Sequence, residues 1–191
     1  VIAEAFHQLR TSLLLSTPGG APKTVLVTSG QPFEGKTITS LSLAKSLAEL
    51  GDRVLLIDAD LRAPKMHLIN DLNNNTGLST LLTSSNFSQE LVDETIRRDV
   101  EICLDVLPSG PRVPNPSNLF SSTEMRNLLA QLSAVYSHIV IDSPPVLYFA
   151  DSVILATSVE AVVVIARANY SSREVLSRAK KKLQDVRGNV V

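Results

Sequence analysis

Three short stretches bring together residue types that handle phosphate. The first, Ser29-Gly30-Gln31-Pro32-Phe33-Glu34-Gly35-Lys36-Thr37, holds the pattern G-x-x-x-x-G-K-T directly after the apolar run Thr24-Val25-Leu26-Val27. Glycines let the backbone N–H groups of such a loop turn inward around an anion. A lysine adds a mobile positive charge for the outer phosphates, and the hydroxyl that follows it can ligate Mg²⁺. Gly30, Glu34, Gly35, Lys36, Thr37 and Ile38 are the candidate nucleotide-binding residues.

The second stretch, Leu55-Leu56-Ile57-Asp58-Ala59-Asp60-Leu61-Arg62-Ala63-Pro64, ends an apolar run with two carboxylates. Alternation along an extended chain puts Asp58 and Asp60 on one side, where both could face the same metal and phosphate. Turn initiation is a common use of aspartate, but it explains one such residue and not a pair at a strand end. The third, Ile139-Val140-Ile141-Asp142-Ser143-Pro144-Pro145, has the form of a Walker B strand. Asp142 would hold Mg²⁺ through water, because that ion dehydrates reluctantly, and the two prolines stop the strand at once. The candidate metal ligands are therefore Thr37, Asp58 and Asp142.

Such side chains need a scaffold that delivers several strand ends to one edge. Apolar runs of strand length occur at 25–28, 54–57, 102–107, 139–141, 161–166 and from 190 onward. Helical patterns lie between them at 38–50, 88–97, 121–135, 151–156 and 172–186. Continuous apolar runs suit central parallel strands covered on both faces, and the alternation predicts a doubly wound α/β fold of the P-loop NTPase kind, with helices on both faces. Ligands of such sheets bind at the C-terminal edge. An N-terminal amphipathic helix precedes the first strand, with Phe6, Leu9 and Leu13 forming its apolar stripe. Segments 70–76 and 108–118, polar or proline-rich, read as surface loops.

The composition sets limits on what else the chain is. With 191 residues, 44% apolar and 19% charged, it suits one globular domain over its whole length. A formal charge of −1 gives no whole-chain reason to expect nucleic acid as a partner. The single cysteine, Cys103, cannot form an internal disulfide and reads as a small buried hydrophobe. His67 and His138 have no ligand spacing to Cys103 or to each other, which disfavours zinc. No apolar run approaches the length that spans a bilayer, so the segment reads as soluble. It opens on Val1 without methionine and closes on Asn189-Val190-Val191, which reads as an excerpt of a longer protein.

Taken in order, these segments resemble the cytoplasmic catalytic domain of the bacterial tyrosine kinases that regulate capsular and exopolysaccharide polymerisation and export. Glu4-Ala5-Phe6-His7-Gln8-Leu9-Arg10-Thr11 is similar to that family's opening E-x-x-R-x-x-R helix. The phosphate loop is similar to its Walker A, Asp58 to Pro64 to its D-x-D-x-R-x-P element, and Asp142-Ser143-Pro144-Pro145 to its Walker B. Thr76-Gly77-Leu78-Ser79-Thr80-Leu81-Leu82 and Leu107-Pro108-Ser109-Gly110-Pro111-Arg112-Val113-Pro114-Asn115-Pro116 resemble its G-L-S-x-x-L and L-P-x-G-x-x-P-P-N-P segments.

The resemblance implies ATP- and Mg²⁺-dependent tyrosine autophosphorylation at the cytoplasmic face of the bacterial inner membrane. It implies catalytic roles for Lys36, Asp58 and Asp60, with Asp58 as metal ligand or acceptor of the tyrosine proton and Asp142 holding the metal shell. It further implies a homo-oligomer, with Glu4, His7 and Arg10 at subunit contacts, the tyrosine-rich C-terminal tail of a neighbouring subunit as substrate, and a membrane polysaccharide co-polymerase or activator in the same or a separate chain. Three departures stand out. Phe33 occupies a position where the family usually has glycine, His7 replaces an arginine, and the three tyrosines, Tyr136, Tyr148 and Tyr170, form no cluster.

Two other functions share these motifs. A cell-division or plasmid-partition ATPase would have a signature lysine early in the phosphate loop, where this chain has Gln31. A non-catalytic nucleotide-binding assembly partner predicts a degraded acidic set, whereas Asp58, Asp60 and Asp142 are all present. Lys180-Lys181-Lys182 reads as a solvated face at a helix C-terminus, where cations are favourable by themselves.

Overall fold

The computed structural model describes residues 2–16, 21–84, 87–98 and 103–191. In chain order its elements are α1 (Ile2–Leu14), β1 (Thr24–Ser29), α2 (Lys36–Ala48), β2 (Val54–Asp58), α3 (Met66–Ile69), α4 (Leu78–Thr83), α5 (Gln89–Thr95), β3 (Leu104–Leu107), α6 (Pro116–Phe120), α7 (Thr123–Val135), β4 (His138–Asp142), α8 (Asp151–Ala156), β5 (Ala161–Ile165) and α9 (Arg173–Gln184). Among the described residues the sheet has five strands in the order β3-β2-β4-β1-β5, and each neighbouring pair is parallel.

Side-chain alternation divides the core into two faces. Val25, Val27, Val54, Leu56, Val140, Ala161 and Val163 point to the face covered by α2, where Leu41, Leu43, Ala44 and Leu47 meet them. Leu26, Leu55, Ile57, Ile139, Ile141 and Val162 point to the opposite face, against Leu78, Leu81, Met125, Leu128, Leu132, Ala179 and Leu183. The β-branched and leucine-rich strands are apolar on successive residues because both faces are buried. On α7, Met125, Leu128, Leu129 and Leu132 recur at i, i+3, i+4 and i+7 and supply the inward stripe. Serine side chains begin three helices: Ser88, Ser122 and Ser172 accept the N–H of Leu91, Met125 and Val175, satisfying donors that a helix leaves unpaired at its start.

Helix α1 packs on α2, burying Leu13 fully and Leu9 and Leu14 in part. Phe6 is only half-buried, so the inner stripe is shifted toward the helix C-terminus from the expected Phe6, Leu9 and Leu13.

Several expectations need correction. Segment 108–118 is not wholly a surface loop: Pro108, Ser109 and Gly110 are buried, and Pro116 starts α6 at its first turn, a position that suits proline because its missing N–H would have had no partner. The burial has a backbone cause. Leu78 N–H and Ser79 N–H donate to the carbonyls of Pro108 (2.8 Å) and Ser109 (2.9 Å), and a Cβ on Gly77 would lie 2.1 Å from Gly110 N and 2.3 Å from Pro108 O. The G-L-S and L-P-S-G segments, distant in sequence, are thus two sides of one close backbone crossing. Asn74 stitches the other expected loop to it, accepting from Gly110 N–H at 2.8 Å and donating to Gly110 O at 3.0 Å.

Cys103 is exposed rather than buried. It sits at φ 53° in the turn that enters β3, where the chain reverses and the side chain turns outward. Ile102, expected to open that strand, lies outside the described residues. Arg97, expected to end a helix, instead forms an antiparallel bridge with Val106, and Val190 makes only an isolated bridge with Val162. Lys182 is not purely solvated, since its Nζ donates to Val146 O at 2.8 Å.

Candidate active site

The strand order explains why three separated motifs meet. β1, β4 and β2 are adjacent and parallel, with Val27 in register with Asp142 and Asp142 with Asp58. The phosphate loop, Asp58 and Asp142 therefore leave one sheet edge side by side. The loop enters α2 through Gly35, whose φ of 94° is left-handed, a conformation open to glycine at little cost. Gly30 keeps the loop close to α9: a Cβ there would lie 2.6 Å from Cγ1 of Val175, which would have to shift. No side chain caps α2, so the N–H groups of its first turn, which include those of Lys36, Thr37 and Ile38, point toward the edge with the positive end of the helix dipole. Ile38 offers its backbone there while its side chain is exposed.

Glu34, a candidate nucleotide-binding residue, has its side chain engaged within the chain. Its buried carboxylate accepts from Gln31 N–H at 2.8 Å and from the Ser171 hydroxyl, so it shapes the loop from within and leaves only its backbone available. Gln31 Nε2 in turn reaches Tyr170 O at 3.4 Å.

The acidic residues are held in distinct ways. Lys36 Nζ lies 2.8 Å from Asp60 Oδ2, while Asp60 Oδ1 accepts from Ala63 N–H at 3.1 Å. Asp58 is fully buried and takes backbone N–H groups from Asp60 (3.2 Å) and Met66 (3.0 Å). The two aspartates of the pair thus have different partners, because β2 ends at Asp58 and the chain turns immediately after it. Asp142 accepts from Ser40 Oγ at 3.2 Å, and its buried Oδ2 has no hydrogen-bond partner.

Burial and the neighbouring Asp142 push the Asp58 carboxyl up to about 7. Burial pushes Asp142 up to about 6, against the opposing pull of Lys36 and of the nearby Thr37 and Ser40 hydroxyls. Burial disfavours the Lys36 ammonium, but Asp142, Asp60 and Asp58 outweigh it and raise its pKa above the ordinary lysine value. A site with this much buried negative charge is short of cation. Thr37, Asp58 and the free oxygen of Asp142 form an all-oxygen donor set, which fits a hard Mg²⁺ completed by phosphate and water oxygens.

Comparison with known proteins agrees with that chemistry. A family described as an AAA domain matches residues 30–189. The tyrosine-protein kinase YwqD of Bacillus subtilis is 35% identical over 181 residues, covering 95% of this chain and 75% of that protein. The putative tyrosine-protein kinase CapB of Staphylococcus aureus is 33% identical over 190 residues, covering 100% and 82%. The solved VpsO kinase domain superposes with a TM-score of 0.88 at 34% identity, covering 100% of this chain and 92% of its own. This chain belongs to the bacterial tyrosine-protein kinases.

Within the kinase, a clamp that sequence reasoning left without a role fixes the turn after Asp60. Arg62 makes two bonds to Asp151, Nε to Oδ2 at 2.7 Å and Nη2 to Oδ1 at 3.1 Å, and its guanidinium lies 4.3 Å from the Phe149 ring centre. Asp151 is fully buried and also accepts from Ser117 Oγ at 2.5 Å. The clamp ties the Asp58–Pro64 segment to α6 and α8. Its sequence signal was the arginine of D-x-D-x-R-x-P, but the partner, 89 residues on, could not be read from spacing.

The kinase engages all three of the expected oligomer-contact residues within its own chain. His7 Nε2 lies 3.1 Å from Glu49 Oε2, and Arg10 Nη1 lies 3.8 Å from the same atom and donates to Ser46 O. Glu4 Oε2 lies 4.0 Å from His7 Nδ1, on a side chain that is 70% exposed. Of the kinase's tyrosines, Tyr136 is buried with its hydroxyl on Asp105 at 2.6 Å, and Tyr148 and Tyr170 are exposed. Among the described residues no helix is long and apolar enough to cross a membrane, and no three His, Cys, Asp or Glu side chains gather as a metal cluster.

Proposed function

We propose that this kinase uses Mg²⁺-ATP to phosphorylate tyrosines, with Lys36, Asp58, Asp60, Asp142 and Thr37 as its working residues. The single observation that carries the reading is the convergence of Lys36 and three buried carboxylates, one with an unpartnered oxygen, at the ends of adjacent strands. Lys36 exchanges its contact with Asp60 for the outer phosphates, and the backbone N–H groups of the loop and of α2 hold the rest of the chain of phosphates. Thr37 and Asp142, with Asp58 beside them, supply the oxygens for Mg²⁺. When bound, that ion neutralises charge on the β- and γ-phosphates.

Phosphoryl transfer forms a bond from the tyrosine oxygen to phosphorus and breaks the bond from phosphorus to the β-phosphate oxygen, so that ADP leaves. The tyrosine proton must go elsewhere. Asp58, fully buried at the end of β2 and in register with Asp142, is the acceptor that its position supports. Backbone donors already orient both of its oxygens, and each retains capacity for one more bond.

In this reading the acceptor is a tyrosine-rich tail crossing from a neighbouring subunit, since Tyr136 is anchored by packing. The kinase forms a homo-oligomer in which Glu4 is the outward residue of the α1 contact. It works as one domain at the cytoplasmic face of the membrane with a membrane activator, in the control of capsule or exopolysaccharide export. Calorimetric titration with ATP tests the metal assignment. Asp142→Asn and Asp58→Asn should each lose about tenfold or more in affinity with Mg²⁺ and much less without it, because amides are poorer ligands for a hard cation. Equal losses under both conditions would remove these residues from the metal site.

A further inference from the structure

Phe33 is the residue of the phosphate loop that its geometry least explains. Its φ of 65° is left-handed, a conformation that costs an ordinary side chain energy glycine would not lose. Its ring gains little burial in return, being 73% exposed. A large apolar side chain held open to solvent in a strained loop is a feature that neither packing nor phosphate binding requires.

Its surroundings give it a direction. Lys65 Nζ lies 5.5 Å from the ring centre, and Lys65 belongs to the turn that begins at Asp60, the partner of Lys36. Arg167 Nη1 donates to Phe33 O at 3.4 Å, and Arg167 stands 5.7 Å from the exposed Tyr170 ring. In the three segments that form this rim, 30–35, 60–65 and 166–171, Glu34 and Asp60 are buried and paired, Arg62 is clamped on Asp151, and the exposed charges are Lys65 and Arg167. The rim therefore offers aromatic faces and positive charge together.

We infer that Phe33, with Lys65 and Arg167, is a docking platform for the acceptor segment: a peptide whose tyrosine is flanked by acidic side chains. The inference rests on the kinase reading and deepens it by naming what selects the acceptor. An aromatic platform favours tyrosine over serine or threonine because ring contacts add to the ordinary burial of a side chain. The flanking cations match acidic neighbours and disfavour basic ones. The position suits the acceptor better than the nucleotide base. Lys36 and the turn from Asp60 serve the γ-phosphate end of the site, where the attacking hydroxyl must arrive in line.

The test uses the full chain, Mg²⁺-ATP and a synthetic peptide of mixed glutamate and tyrosine, with wild type, Phe33→Gly and Phe33→Tyr. Phe33→Gly should raise the peptide KM about tenfold, as loss of an aromatic anchor does, and should raise it by more than the ATP KM. Phe33→Tyr should retain wild-type behaviour. A raised ATP KM with an unchanged peptide KM, or no change in either, would overturn the platform. Fluorescence anisotropy of the labelled peptide, with Mg²⁺ and a non-hydrolysable ATP analogue, separates this failure from failure of the kinase reading. Peptide binding lost in Phe33→Gly supports the platform even if wild type forms no phosphotyrosine. Equal binding by both proteins rejects it even if wild type is an active kinase.

Discussion

Asp58 and Asp142 are carboxyls whose ionisation the fold opposes. Both hold pKa values above the ordinary 3.8, at about 7 and about 6, so between those limits the folded chain binds more protons than the unfolded one. Their contribution to stability is therefore favourable at low pH and is lost as pH rises through 6 to 7. In urea titrations without nucleotide, wild type should lose stability from about pH 5 to about pH 7.5, and Asp142→Asn should flatten that decline and gain roughly 1 kcal/mol or more at the upper pH. An identical decline in both proteins would contradict the buried carboxylate pair. Phe33 gives a second prediction of the same kind. Relief of its left-handed backbone returns about 1–2 kcal/mol, and the greater freedom of unfolded glycine takes back about 0.5–1. Phe33→Gly should thus be roughly 0.5–1 kcal/mol more stable than wild type by denaturant midpoint, even as acceptor docking weakens.

The crossing of the segment before α4 over the exit from β3 has a sharper steric requirement than any helix. A methyl group on Gly77 meets backbone atoms at 2.1 and 2.3 Å, and backbone cannot swing aside as a flexible side chain does. Gly77→Ala should cost about 1–3 kcal/mol, at the upper end of that range. Gly51→Ala, at φ 85° with open space around it, should cost about 1 kcal/mol from conformation alone. A smaller loss at Gly77 than at Gly51 would deny the crossing its importance. This contrast also marks where sequence reading succeeds. β1, β2, β4 and β5 were legible because two buried faces make their residues apolar in unbroken runs, and α7 and α9 because one buried face makes them periodic. α3, α4 and α6 were not, since a helix of one or two turns such as α4 is too short to display a period, and its burial comes from chain 32 residues away that no local pattern encodes. Lys36, Asp58, Asp60 and Asp142 were legible because each ends or follows an apolar strand. The inward turn of Glu34 was not, because its partner Ser171 comes from the far side of β5.

As a whole, the molecule places two apolar cores on a single sheet, and the working edge draws on the ends of strands that belong to both. A fold with both cores on one sheet should unfold in one transition by fluorescence and circular dichroism alike. Mg²⁺-ATP at a hundred times its dissociation constant should raise that transition by about 2.7 kcal/mol, a shift that Asp142→Asn should largely abolish. The central claim is that the cluster around Lys36 transfers phosphate to tyrosine. The most direct measurement is the initial rate of phosphotyrosine formation on a supplied tyrosine-rich peptide with Mg²⁺-ATP, for wild type and for Lys36→Met shown by circular dichroism to be folded. Loss of one charge aimed at the transferring phosphoryl group should slow the reaction about 10²–10³-fold. Phosphotyrosine formation at the wild-type rate by folded Lys36→Met would contradict it.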